Sequence, residues 1–196
     1  MSQGDPPMCR NAFLYLLLSM LVACGNDTGS HRVDLRRGWR AVELADAFDR
    51  AAHLKPPSNR AEPELRVWEA PFLGNTTGYV ISSGHAQTCS AQYRNDGLTA
   101  SVEKAHCAVS DMPREKRHSA LGLLPELSAL NGRSWGCAVG GETIFVEGFV
   151  KRQRFAFLVG NPADCQDSGS FLVKQLVEVL RSPVSTNLND HRSTHP

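Results

Sequence analysis

The chain has 196 residues, 41% of them hydrophobic, and a formal net charge of +1 from 21 Lys and Arg against 20 Asp and Glu. That length suits one domain with a sizeable core, and the balanced charge excludes the strong basic excess of a nucleic-acid binder. Beyond residue 23 no second apolar run is long enough to suggest a membrane span.

The first element along the chain is an uncharged apolar run, Ala12 to Ala23, followed by Cys24. It falls short of the ~20 apolar residues that a spanning helix needs and fits the apolar core of a secretory signal peptide. Met8-Cys9-Arg10 would form a compact basic start directly before it. An ordinary signal peptidase site wants small residues at the last and third-last positions, and Leu21 is too bulky for the latter. Leu21-Val22-Ala23-Cys24 resembles the lipobox of bacterial lipoproteins, in which the cysteine is acylated and becomes the mature N-terminus. The resemblance implies a signal peptide over 1–23, a lipid anchor at Cys24 and residence in the cell envelope. Gly25 stands where an inner-membrane lipoprotein commonly carries aspartate, so the implied location is the outer membrane, facing the periplasm. Each buried methylene contributes ~0.8 kcal/mol, so two or three acyl chains on one cysteine hold the protein durably.

Residues 24–36 are predicted as the lipidated N-terminus and a polar tether, residues 37–182 as one domain, and residues 183–196 as a disordered tail. Within the domain, Trp39 to Leu54 reads as an amphipathic helix, with Ala41, Leu44, Ala45, Phe48, Ala51 and Ala52 at helical spacing. Asp46 and Arg50 stand one turn apart and could pair, and Pro56-Pro57 end the helix. Strands are predicted over 64–70, 78–83, 88–94 and 98–107, with Asn95-Asp96-Gly97 as a hairpin signal between the last two. Residues 111–118 read as a charged loop, and Pro125 opens a short helix that stops at Asn131-Gly132. Three more strands follow over 134–139, 143–150 and 154–159, with turns at Gly140-Gly141 and Lys151-Arg152-Gln153. A final helix begins near Ser168 or Ser170 and buries Leu172, Leu176, Val179 and Leu180 before Pro183. The fold class is α+β: a mostly antiparallel sheet packed by an N-terminal and a C-terminal helix.

Of six cysteines, Cys9 lies in the leader and Cys24 is the lipid site. Cys89, Cys107, Cys137 and Cys165 remain, an even number suited to two disulfides in an oxidising compartment. Three connectivities are possible; Cys89–Cys107 with Cys137–Cys165 closes the shortest loops. Against this, a tight turn at Asp96-Gly97 would set Cys89 opposite Lys104, so the first bridge requires a bulge or a longer turn.

His85, Cys89, His106 and Cys107 have the composition of a zinc set. However, consecutive His106 and Cys107 point to opposite faces of a regular strand, and the reading taken is a disulfide with incidental histidines and no metal. Ser101-x-x-Lys104 matches a penicillin-binding motif by chance, since it falls on a strand without the companion motifs. Glu62, Glu64 and Glu69 supply acids, with nothing to place two across a cleft. Lys151, Arg152 and Arg154 form a basic hairpin tip, read as a solubilising turn or a contact for lipid phosphate or an acidic partner. Phe145, Phe149, Phe155 and Phe157 beside it read as core.

No catalytic residue, cofactor or metal follows from these patterns. The expected role is a non-catalytic binding or scaffolding lipoprotein, held on the membrane through Cys24, with an envelope protein or ligand as partner and no nucleic acid. The alternatives are a small periplasmic hydrolase without a readable motif and an inhibitor or immunity-type lipoprotein.

Overall fold

Eight β-rich segments of the chain assemble into one curled sheet. The computed structural model describes residues 31–34, 40–55, 62–71, 75–96, 99–137 and 141–182. The lipobox with Cys24, the tail 183–196, Pro56-Pro57 and Gly140 all lie outside the described residues. In chain order the elements are β1 (His31–Asp34), α1 (Ala41–Ala51), β2 (Glu64–Pro71), β3 (Thr76–Ser82), β4 (Ala86–Asn95), β5 (Thr99–Val109), α2 (Arg114–Gly122), α3 (Leu124–Ser128), β6 (Ser134–Gly136), β7 (Glu142–Val150), β8 (Gln153–Gly160) and α4 (Ser168–Arg181). The sheet order is β1-β5-β4-β3-β2-β7-β8-β6, and every neighbouring pair is antiparallel except β6 with β8. The protein is therefore α+β with a mostly antiparallel, mixed sheet.

Helix α1 carries four alanines and so approaches the sheet closely. It touches β1 and β5 towards one side of the strand order and β7 and β8 towards the other, so the sheet curls around it. Phe48 is the centre of that core: its ring stacks on Trp68 at 4.6 Å and meets Phe145 at 5.3 Å and Tyr93 at 5.8 Å. Trp68 in turn lies over its cross-strand partner Gly78, where a Cβ would fall 2.4 Å from the indole. The opposite face packs Leu65, Val67, Ile144, Val146, Phe155 and Phe157 against α2, α3 and α4. β2 is consequently buried on both faces along nearly its whole length.

Both disulfides form, Cys89–Cys107 and Cys137–Cys165. The first obtains its register from two departures from a tight hairpin. Asn95 pairs with Ala100, which lengthens the turn, and a bulge follows between Ser90 and Gln92. There Ala91 faces both Lys104 and Ala105, with Lys104 at φ 46°, and Cys89 comes opposite Cys107 at a Cα separation of 4.0 Å.

Four expectations are corrected. His31–Asp34 is a strand paired with β5 rather than tether. Residues 114–122 form a helix rather than a loop; Pro113 is its N-cap, and only Ala120 on it is buried, so it shows little apolar periodicity. Residues 134–136 do not turn back on β7 at Gly140-Gly141, because β2 and β8 already occupy both edges of β7; the segment lies parallel on the outer edge of β8 instead. Helix α4 is rotated from the expected face and buries Val173, Leu176, Val177 and Leu180, with Leu172 and Val179 half-buried.

The turn between β7 and β8 has two residues, since Val150 pairs with Gln153. Lys151 and Arg152 both have positive φ, 50° and 64°. A two-residue hairpin turn of this kind favours Asn-Gly, and side-chain-bearing residues there carry strain. Replacing the pair with Lys151→Asn and Arg152→Gly should raise stability by about 1 kcal/mol, read as a higher midpoint of urea unfolding. An unchanged or lower midpoint would contradict the strained turn.

Candidate functional site

The densest group of ionisable side chains lies beneath α1. Alternation along β2 directs Glu64 and Arg66 to the α1 face together with Trp68. Glu147 on β7 is the direct cross-strand partner of Arg66, and Arg154 on β8 reaches it from the side. Asp46 and Asp49 descend from α1. Arg66, Glu147, Glu64 and Asp49 are each at most 4% exposed.

Arg66 uses its whole fork. Its Nε donates to Glu64 at 2.8 Å, Nη2 donates to Glu64 at 2.6 Å and to the Lys55 carbonyl at 2.7 Å, and Nη1 donates to Asp49. Arg154 donates through Nε to Glu147 and through Nη2 to Asp46 at 2.6 Å. Asp46 is therefore engaged with β8, not with Arg50 one turn away. Lys55 follows α1 and Asp46 lies within it, so the two guanidiniums clamp both the helix and its exit to the sheet.

Four carboxylates surround two guanidiniums, and burial penalises the excess negative charge. Desolvation, reinforced by the nearby Asp49, pushes the Glu147 carboxyl up to about 7 against the pull of Arg154 and Arg66. Desolvation also raises Asp49, opposed by Arg66. Asp49 Oδ1 and Glu147 Oε2 are buried without a donor, yet the two carboxyls are within hydrogen-bonding reach of each other. A proton retained by the pair relieves part of that charge excess. Chemically, this is a proton-responsive clasp whose buried members, Arg66, Glu64, Asp49 and Glu147, are directed at one another, while Arg154 at its edge also borders a surface groove.

A second pairing ties α4 to the other face of the sheet. Arg181 donates to Glu69 at 2.9 Å through Nε and also holds Glu142. Burial raises Glu69 despite Arg181, and Glu69 Oε1 has no donor.

The remaining sequence candidates separate. The Sγ atoms of Cys89 and Cys107 are bonded to each other; His106 pairs across the ladder with Ser90, and His85 lies in the β3–β4 turn. Cys137, Cys165 and Asp167 come close enough for a metal, but the two sulfurs form the second disulfide, and Asp167 caps α4 by accepting from the Ser170 amide at 3.0 Å. Ser101 and Lys104 stand on β5, Lys104 at the bulge. Glu62 accepts from Ser83. Phe145, Phe149, Phe155 and Phe157 are all buried core residues. Lys151 and Arg152 are exposed at the tip, whereas Arg154 turns inward into the clasp.

Among the described residues a serine–histidine pair is in reach: Ser82 Oγ lies 2.8 Å from His85 Nδ1. The same hydroxyl donates to the His85 carbonyl at 3.2 Å and accepts from the His85 amide at 3.2 Å. Ser82 is 5% exposed, and its bonds lock a four-residue turn. Among the described residues, one shallow groove of about 320 Å³ is bounded by Pro125, Ser128, Gln153 and Arg154, and another of about 440 Å³ by Glu126, Phe171 and Lys174. Neither contains the clasp carboxylates or the Ser82–His85 pair.

No protein-family model matches the chain, and a search of curated proteins finds no match either. No helix among the described residues is long and apolar enough to cross a membrane.

Glu147 and Asp49 are both raised, so the folded protein holds more protons than the unfolded chain above the ordinary carboxylate range. Their stabilising contribution is fully present below that range and is lost as pH rises through about 7. The melting temperature should accordingly be higher at pH 5 than at pH 8, and Glu147→Gln should flatten most of that difference. A melting temperature that rises between pH 5 and 8 would contradict the retained proton. Removing the central cation should be severe: Arg66→Met strands buried carboxylates and should cost about 3–5 kcal/mol in chemical denaturation. A loss below about 1 kcal/mol, typical of an exposed pair, would show that the clasp does not hold α1.

Proposed function

We propose that this chain is an envelope lipoprotein, acylated at Cys24, whose domain binds or scaffolds another envelope component without catalysis. The observation that carries the reading is the cysteine inventory. Cys89, Cys107, Cys137 and Cys165 are consumed in two disulfides, which suits an oxidising compartment, and Cys24 follows the uncharged run at the lipobox. The inward-directed clasp also supports a structural rather than a chemical use of the buried acids. The proposed site is the periplasmic face of the outer membrane.

A hydrolase is the second reading, and the Ser82–His85 contact is the feature that favours it. Its hydroxyl is buried and spent on turn bonds, which weighs against attack on a substrate. A fluorophosphonate probe separates the two readings: labelling of the wild type that Ser82→Ala abolishes would establish the hydrolase.

For the anchor, metabolic incorporation of a fatty-acid analogue should mark the wild-type protein. Cys24→Ser should remove both the label and retention in the membrane fraction. Equal labelling of the variant would refute the assignment.

A further inference from the structure

The two faces of the sheet are not equally covered. Helices α2, α3 and α4 pack on β2, β3, β7, β8 and the first residue of β4, but no described residue covers the same face of β1, β5 and the rest of β4. Ser90, Gln92 and Arg94 of β4 are exposed there, and their partners or near partners on β5 share the face. One row is unusual. Ser101 pairs with Arg94 on one side and with Arg32 on the other, so Arg94, Ser101 and Arg32 line up across three strands.

Neighbouring strands lie ~4.8 Å apart, which sets the two arginine backbones about 10 Å apart with the serine hydroxyl between them. Both arginines are exposed, and neither makes an ion pair with a described residue. Glu103, opposite Gln92, and Asp34, opposite Thr99, take the same face by register, so the Arg94–Ser101–Arg32 row is its cationic part. Two unspent guanidiniums flanking a hydroxyl suit phosphate oxygens.

The position of the anchor identifies the occupant. Cys24 precedes His31 by seven residues, a reach of at most about 25 Å even when fully extended. His31 pairs with Val102 on β5, so the chain enters the fold at the margin of this open face. We infer that the uncovered face of β1, β5 and β4 rests on the anionic phospholipid surface of the membrane that holds the acylated Cys24, with Arg32 and Arg94 on headgroup phosphates and Ser101 between them. This docking rests on the anchor proposed above. It orients the domain with its β1–β5–β4 side on the bilayer.

The test uses the acylated full chain, reconstituted into vesicles of phosphatidylcholine alone or with 30% phosphatidylglycerol. Arginines are modified with phenylglyoxal and read by mass spectrometry, alongside a fatty-acid label on Cys24. In anionic vesicles Arg32 and Arg94 should react roughly fivefold more slowly than in neutral ones, the effect expected of ~1 kcal/mol per surface arginine. Salt at 300 mM should restore their reactivity, while exposed Arg133 and Arg152 should not change. Equal reactivity of Arg32 and Arg94 in both vesicles, with Cys24 labelled, overturns the docking alone. Protection in neutral vesicles by millimolar inorganic phosphate would overturn it in favour of a soluble phosphate site. An unlabelled Cys24 would remove the anchor and the docking together.

Discussion

A fully buried arginine in the central strand organises this fold. Arg66 stands where β2 is covered on both faces, so its charge has no access to water and must be met by protein groups. Glu64, Asp49 and the Lys55 carbonyl meet it directly, and Glu147 faces it across the ladder. Two of those groups belong to α1 or its exit. The helix is thereby fixed in orientation and register by directional bonds as well as by the stack of Phe48 on Trp68. An aromatic stack tolerates sliding; a guanidinium fork does not. The cost is an excess of buried carboxylate, relieved by a proton on the Asp49–Glu147 pair.

Curling follows from the same centre. A single short helix can touch both β5 and β8 only if the sheet wraps around it, and the alanines of α1 permit that approach. Among the described residues, the outer face is then too broad for the three other helices, which gather on β2, β3, β7 and β8. The uncovered strands are the polar ones, with exposed residues alternating along β4 against buried Cys89 and Ala91. The Cys89–Cys107 bridge secures that thinner half, where only one apolar layer holds the strands.

Much of this was legible in the residues, and the failures have definite physical reasons. Alternation located every strand after residue 60, because half-buried strands and hairpin turns leave period-two patterns. The disulfide pairing was legible from loop lengths, and the bulge it demanded is present at Lys104. The clasp was not legible. Arg66 and Glu147 alternate like solvent-facing residues, and only the covering of β2 on both sides makes them interior. The partnership of Asp46 with Arg154 spans more than a hundred residues, a distance at which local spacing carries no signal. Helix α2 was hidden because one buried alanine gives no apolar stripe, and β1 because four residues are too few to show alternation. The Ser82–His85 contact depends on turn geometry that no motif encodes.

The smallest strand has a role beyond its length. β6 contributes three residues, yet it occupies the outer edge of β8, whose sequence Phe155-Ala156-Phe157-Leu158-Val159 is wholly apolar. Left bare, such an edge is a template for pairing with another chain. Three residues of parallel ladder would fray readily, but Cys137, directly after β6, is bonded to Cys165 beyond the end of β8. Oxidation of that pair thus serves as a guard against self-association. With that bond reduced, the parallel ladder of β6 would fray and open the apolar edge of β8 to pairing with a neighbouring chain.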